Sequence, residues 1–175
     1  HDILVGFLCG AIMAVANIYM WNKLHDEKID FKNYKVYLVG IILSILFILN
    51  FSFVNNYLKI LTLVIIMILF NYLLFPKDKN ENIIAPVICE FIIILSEALI
   101  SLLIAFLSNI NAADILSNYA GTILINLLVG STSVFLINFK FFQDLFKKMN
   151  AVLESVNKNI VLSIFGVLII IVNFS

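Results

Sequence analysis

The amino-acid sequence predicts an all-α, polytopic transmembrane helical bundle with six spans. Six long apolar runs fill the 175 residues, which are 63% hydrophobic and have a mean hydropathy of +1.10. Only 13% of the residues are charged, too few to cover the apolar surface of a soluble domain of this size. Because the runs are continuous rather than alternating, they favour helices over a membrane β-barrel.

The span boundaries follow from the length of helix that a bilayer requires. A hydrocarbon core of about 30 Å is crossed by about 20 apolar residues. The long stretch 34–75 divides at 50–56, where three asparagines and a serine indicate a turn. The predicted spans are residues 3–21, 34–49, 57–75, 83–107, 118–139 and 160–174. Together they form a single transmembrane domain, residues 1–175.

The segment 141–156, between the fifth and sixth spans, is amphipathic. Its apolar stripe has helical spacing and its other face carries charges. This pattern predicts an interfacial helix on the cytoplasmic leaflet. The alternative is an ordinary cytoplasmic extension of span five.

Lysines are distributed asymmetrically among the loops. Ten of the eleven lie in or at the edges of three alternate gaps, and the exception is Lys59. Because lysine-rich short loops stay in the cytoplasm, the pattern predicts a multi-pass cell-membrane protein with an extracellular N-terminus. The sixth run gives only about 22 Å of helix, so we expect a seventh crossing in the parent protein beyond Ser175.

Two carboxylates inside the fourth span are the strongest candidates for function. Glu90 and Glu97 are seven residues apart and share one helical face, which Ser101 extends. Ionisable groups at membrane depth are costly, so they normally face a bundle interior or a wet cavity. This favours a ligand contact, a cation contact or a proton-linked switch. The alternative is a protonated glutamate bonded to a neighbouring helix.

Small and polar residues in two other spans predict close helix packing. Gly6 and Gly10 form a GxxxG step that Ala14 extends, and such steps let helix backbones approach closely. In the fifth span, Asn126 and Gly130 indicate similar contacts between helices.

Several classes of activity lack support in the sequence. The chain has no arginine and no basic stripe with aromatic residues, so nucleic-acid binding is not expected. His25 is a lone loop histidine that we expect to be solvated rather than metal-bound. Cys9 and Cys89 lie inside apolar runs. We therefore predict no catalytic residue, no metal and no cofactor in this chain.

A set of short motifs resembles a known family of receptors. They are 30–35 (DFKNYK), 53–58 (FVNNYL), 70–75 (FNYLLF), 94–97 (ILSE), 118–121 (NYAG), and the 147–159 segment with its paired lysines. Together they resemble the N-terminal membrane sensor region of Agr-type, GHKL-family receptor histidine kinases of Gram-positive bacteria. The resemblance implies detection of a secreted peptide, dimerisation, and relay through a cytoplasmic kinase to a response regulator. The kinase parts are not in this chain.

A peptide receptor should expose its recognition surface on the outer side of the membrane. The outer loops 50–56 and 108–118 are rich in asparagine, and the second carries Asn109, Asn111 and Asp114. We therefore add Asn109 and Asp114 to the candidate ligand contacts. The alternative is that the asparagines merely close tight turns. A different function class, a six-helix transporter subunit that binds a small molecule, also fits the length and span number.

Overall fold

The fold is a bundle of α-helices. The computed structural model describes residues 2–109, 114–115, 117–155 and 158–174, and every regular element in these ranges is an α-helix. The all-α prediction is therefore confirmed. The helices are α1 (Asp2–Leu24), α2 (Tyr34–Phe53), α3 (Lys59–Leu74), α4 (Glu81–Ser108), α5 (Tyr119–Leu136), α6 (Lys140–Ser155) and α7 (Lys158–Phe174).

The six-span prediction is met only in part. Three segments are long and apolar enough to cross a membrane: Ile3–Leu24, Glu81–Leu107 and Tyr119–Leu136. Three further apolar segments, Tyr34–Asn50, Lys59–Leu74 and Leu162–Asn173, are shorter. The 16 residues of α3 give about 24 Å of helix, less than the core of about 30 Å. Since only three segments reach the required length and apolarity, the count of six is not established by helix length.

Asparagines set several helix ends. Asn33 caps α2 by accepting a hydrogen bond from the Lys35 amide at 3.1 Å, and Asn118 caps α5 by accepting from the Gly121 amide at 2.6 Å. Asn109 ends α4 in the left-handed conformation, with φ 52°, which asparagine adopts more readily than most residues. These residues mark the start of α2, the end of α4 and the start of α5.

Helices α1 and α4 form the centre of the bundle. Helix α1 packs against α2, α4 and α5, and α4 packs against α1, α3, α5 and α6. The α4–α5 contact includes a buried hydroxyl pair, in which Ser133 Oγ lies 2.9 Å from Ser96 Oγ. Helix α7 contacts α3 and α6 only slightly, and most of its apolar side chains are exposed.

The bundle has two ends that differ in character. At the α2–α3 end lie the start of α1, the α2–α3 connection 54–58 and the start of α5. At the α3–α4 end lie the α1–α2 loop 25–33, the α3–α4 turn 75–80 and helix α6. Most of the lysines are at the α3–α4 end.

Helix α6 is a separate element rather than a continuation of α5. It follows a turn at 137–139 and packs against α4. Phe142, Phe146 and Leu153 of its apolar stripe are buried in the protein, whereas Val152 on the same stripe remains 55% exposed. Because the chain turns at 137–139, α5 and α6 do not form one continuous helix. Val156, at the end of the predicted segment, lies outside the described residues.

Candidate ligand-binding site

A cavity of about 550 Å³ lies between helices α1 to α5. Its walls are largely apolar, and they include the polar side chains of Asn17, Glu90, Glu97 and Asn126. At the α2–α3 end it reaches the exposed residues Ser52 and Asn118. At its other end it meets fully buried side chains, including Asn17 and Met67. It is therefore a blind cleft that deepens from the α2–α3 end toward the bundle centre.

One face of α1 forms the longest wall. Ile3, Gly6, Gly10, Met13 and Asn17 all line the cavity, and their spacing of three and four residues places them on one side of the helix. From Ile3 to Asn17 this face covers about 21 Å along the helix axis. The cavity therefore extends over much of the thickness of a membrane core.

The facing wall on α4 carries both predicted carboxylates. Glu90, Ile93 and Glu97 line the cavity at the same helical spacing. Glu90 is half-buried and Glu97 is exposed. Neither makes a hydrogen bond or salt bridge to another residue that the structure describes. The two groups thus stand about 10 Å apart along the helix, facing the same space.

The mouth is built from the α2–α3 connection and the start of α5. Asn50, Ser52 and Lys59 line it on one side, and Asn118 and Tyr119 on the other. Asn50 is buried, and its amide nitrogen donates to the Lys59 carbonyl at 3.4 Å. The α2–α3 connection is thereby held against the cavity entrance.

The structure brings together some of the predicted site residues and separates others. Glu90, Glu97, Gly6, Gly10 and Asn126 all line the cavity. Ser101, Asn109 and Asp114 are exposed and do not line it, and Asn111 lies outside the described residues. The predicted Glu90–Glu97–Ser101 stripe therefore divides, because the cavity ends before the last turns of α4. Asn109 serves instead as the end of that helix.

The predicted packing residues make three kinds of contact. At Gly10 an added Cβ would lie 2.7 Å from the Ser44 carbonyl oxygen, so the α1 and α2 backbones approach closely there. Gly130 faces Ile12 of α1, and Ala14 is buried in the core. Asn126 donates to Thr122 O at 2.9 Å within α5, so its amide nitrogen bonds inside its own helix rather than across helices.

Two residues important for the cavity were not singled out from the sequence. Asn17 is 1% exposed and lies at the deep end, where its Nδ2 donates to Met13 O at 2.9 Å. Lys59, the exception in the lysine count, lines the mouth of the cavity. The available signal for Asn17 was its position, seven residues after Gly10 on the face of the glycine step. A lone amide in an apolar span would have identified it as a candidate.

A second polar cluster lies at the α3–α4 end. His25 is 1% exposed, not solvated as expected, and its ring stacks on Phe75 with centroids 3.8 Å apart. Its Nδ1 lies 3.0 Å from Asp78 Oδ2 and its Nε2 lies 2.8 Å from Asn71 Oδ1. Asn71 commits its amide nitrogen to Met67 O, so its oxygen faces the ring as an acceptor. Both ring nitrogens therefore lie within hydrogen-bond distance of side-chain oxygens from other parts of the chain.

The His25 cluster joins the α1–α2 loop to the α3–α4 turn. Asp78 also accepts a hydrogen bond from the Glu27 amide, and Glu27 accepts one from the Lys77 amide, both at 3.1 Å. Because Asn71 bonds to Met67, which lines the cavity, the cluster is connected to the cavity floor through one turn of α3. Within the described ranges, no three His, Cys, Asp or Glu side chains come together in a way that could hold a metal ion.

Comparisons with known proteins do not identify a family for this chain. No protein-family model matches it, and neither a curated protein nor a solved structure matches it. The function is therefore argued from the cavity and from the charge distribution.

Proposed function

We propose that this chain is the membrane sensor region of a receptor histidine kinase, which binds an extracellular signal in the cavity. The observation that carries the proposal is the blind cleft, which leads from the exposed α2–α3 end into the bundle centre. Its volume of about 550 Å³ falls within the range of about 300–1,000 Å³ that is typical of sites for small ligands. A site of this shape fits recognition of a molecule that enters from one side of the membrane.

The lysine distribution supports an extracellular position for the α2–α3 end. Three lysine-bearing segments meet at the opposite end of the bundle. Glu27 in the α1–α2 loop accepts a hydrogen bond from the Lys77 amide in the α3–α4 turn. Asn150 of α6 donates one to Glu81, at the start of α4, at 3.0 Å. Because lysine-rich short segments remain in the cytoplasm, this clustering favours a cytoplasmic α3–α4 end and an extracellular cavity mouth.

The proposal takes all six apolar helices as membrane spans. Helices α3 and α7 are short, with 16 and 17 residues, but a span shorter than the core is accommodated by local thinning of the bilayer at modest cost. Six spans keep all three in the cytoplasm and the N-terminus outside.

The family resemblance supports the relay part of the proposal. Sensor regions of Agr-type kinases detect a secreted peptide, and the motifs at 30–35, 53–58 and 70–75 resemble theirs. By this resemblance the receptor acts as a homodimer and passes its signal through a cytoplasmic kinase to a response regulator. The His25 cluster supports a route for the signal, since it links the cavity floor to the proposed cytoplasmic face.

A small-molecule transporter component is the second candidate. It is favoured by the enclosure of the cavity within one chain, since a single copy could surround a small substrate. The lysine count weighs against it, because such components usually keep both termini in the cytoplasm. Ligand-dependent uptake into vesicles without autophosphorylation would favour this candidate.

The proposal is tested by filling the cavity. Cys9 lines the cavity and Leu8, its neighbour, is 42% exposed and does not line it. We expect Cys9→Phe to abolish the response of the full-length receptor, because the larger ring occupies the ligand volume, whereas Leu8→Phe retains it. The measurement is autophosphorylation in liposomes with and without culture supernatant of the producing bacterium.

Two outcomes would contradict the proposal. Equal responses of the two variants would exclude the cavity as the sensing site. An absence of any phosphate transfer from ATP in the full-length protein would exclude the kinase relay while leaving ligand binding to be measured directly.

A further inference from the structure

The deep end of the cavity presents a hydrogen-bond acceptor that has no donor. Asn17 is 1% exposed, and its Nδ2 is committed to Met13 O. Its Oδ1 is buried and has no hydrogen-bond partner in the described part of the chain. A buried amide oxygen without a partner costs about 1–3 kcal/mol. A ligand that brings a donor to this point would remove that cost.

The same space contains two carboxyl groups without partners. Glu90 and Glu97 line the cavity opposite α1, and neither bonds to another described residue. A carboxylate inside a membrane segment is stabilised by a cation or by several donors. Glu90 and Asn17 provide acceptors in the inner part of the cavity, and the exposed Glu97 lies about 10 Å farther along α4.

Donors and positive charge are found elsewhere in the cavity wall. The amide nitrogens of Asn126 and Asn50 already donate to the backbone oxygens of Thr122 and Lys59. Lys59 lines the mouth, eight residues and about 12 Å of helix before Met67 at the floor. Lys59 therefore places a positive charge at the mouth, and the half-buried Glu90 places a carboxyl group deeper in the cavity.

We propose that the cavity binds an amphiphile that carries a cationic nitrogen, which enters the inner part of the cavity and donates to Glu90 and Asn17. The apolar body of this ligand lies along Gly6, Gly10 and Ile93. An ammonium group supplies three donors and a positive charge, matching two kinds of acceptor that the protein leaves unpaired. This inference rests on the proposed function in one respect, that the cavity is the ligand site of the sensor.

The nitrogen could come from a soluble molecule or from a lipid head group. A lipid head group resides at the membrane surface, whereas Asn17 lies about 21 Å along α1 from Ile3. Protein in nanodiscs made of phosphatidylglycerol alone, compared with nanodiscs that also contain phosphatidylethanolamine, separates the two sources. Protection of the cavity by phosphatidylethanolamine without added ligand would assign the nitrogen to the membrane.

The native thiols provide the assay. Cys9 lines the cavity, whereas Cys89 is fully buried in the core and serves as an internal control. The protein in phosphatidylglycerol nanodiscs is treated with a small maleimide, and alkylation of each cysteine is followed by mass spectrometry. Octylammonium, octanol and octanoate, which share one chain length, are added as competing ligands.

We expect octylammonium to protect Cys9 at about tenfold lower concentration than octanol, and octanoate to protect least. A tenfold difference corresponds to about 1.4 kcal/mol. Glu90→Gln should remove this advantage of the amine and leave octanol protection unchanged, which also shows that the variant is folded. Glu81→Gln is the matched control, because Glu81 bonds to Asn150 outside the cavity.

Each remaining outcome has a distinct meaning. If octanol protects Cys9 at the same concentration as octylammonium, the cationic ligand is excluded and the cavity remains a ligand site. The same holds if the amine keeps its advantage over octanol in both Glu90→Gln and Glu97→Gln. If none of the three compounds protects Cys9, the cavity is not a ligand site and the proposed function loses its main support. If the amine binds but leaves autophosphorylation unchanged, the ligand class stands and the sensor function does not.

Discussion

At the scale of single residues, partners that are distant in sequence determine what each polar side chain does. His25 is an example, because Asn71 and Asp78 on α3 and the following turn supply acceptors for both of its ring nitrogens. Nothing in the neighbouring sequence of His25 distinguishes it from a solvated loop histidine. Its burial follows from the stacking on Phe75, which also comes from the end of α3.

Replacement of His25 should therefore destabilise the bundle. We expect His25→Ala to lower the free energy of unfolding by about 3 kcal/mol, because it removes a buried ring that stacks on Phe75 and leaves the buried Asn71 Oδ1 without its partner. Lys32→Ala, an exposed lysine in the same loop, is the control and should have little effect. Titration of the purified protein with SDS in mixed micelles measures both. Wild-type stability of His25→Ala would show that the cluster does not hold the loop.

The two glycines of the α1 step should respond differently to the same change. A Cβ on Gly10 would lie 2.7 Å from Ser44 O, whereas one on Gly6 would make ordinary contacts of 3.7 Å with Ile48. We expect Gly10→Ala to cost about 2 kcal/mol through overpacking and Gly6→Ala to change stability by less than about 0.5 kcal/mol. The same SDS titration compares them. Equal effects would mean that α1 and α2 do not approach as the structure describes.

At the scale of elements, the apolar stripe of α6 is partly buried in the protein and partly exposed. Phe142, Phe146 and Leu153 are buried in the protein, while Val152 remains exposed. The interfacial-helix prediction concerns the exposed part. The buried part docks α6 against α4, and Asn150 bonds to Glu81 at the start of that helix.

Docking of α6 should depend on the buried phenylalanines. Phe146 is 6% exposed and Phe141 is 67% exposed, so they form a matched pair on one helix. We expect Phe146→Ala to release α6 and increase trypsin cleavage after Lys147 or Lys148 at least fivefold, because truncation of a buried phenylalanine costs about 3–5 kcal/mol. Trypsin should cleave the Phe141→Ala variant at the wild-type rate. Equal cleavage of both variants would contradict the docking of α6 on α4.

At the scale of the whole molecule, the proposed orientation makes a prediction that is independent of any ligand. In a Cys9→Ala, Cys89→Ala background, single cysteines are placed at the exposed positions Asn55, Ser117, Lys79 and Lys148. We expect an impermeant thiol reagent added to intact cells to label the first two and not the last two, because lysine-rich segments remain inside. Labelling after permeabilisation controls for accessibility. The opposite pattern would reverse the topology and close the cavity to external ligands.

The helical architecture was predictable from the sequence because it depends on interactions between near neighbours. Hydropathy over about 20 residues identifies apolar helices, and asparagines at helix ends separate them, as Asn33 and Asn118 do. The same local signals placed Glu90 and Glu97 on one face of one helix. These signals alone did not fix the number of spans, because the apolar segments of α2, α3 and α7 are shorter than those of α1, α4 and α5.

The cavity was decided by tertiary structure, because its walls come from five helices that are far apart in sequence. Helical spacing on α4 could not show that the cavity ends before Ser101, nor that Asn17 of α1 meets the same space. The Asn71–His25 bond joins residues 46 positions apart, and the Asp78–His25 pair spans 53. Sequence by itself thus determined which segments are helical and which end carries the lysines. Packing decided which polar groups remain unpaired, because hydrogen-bond satisfaction depends on neighbours that only the folded chain brings together.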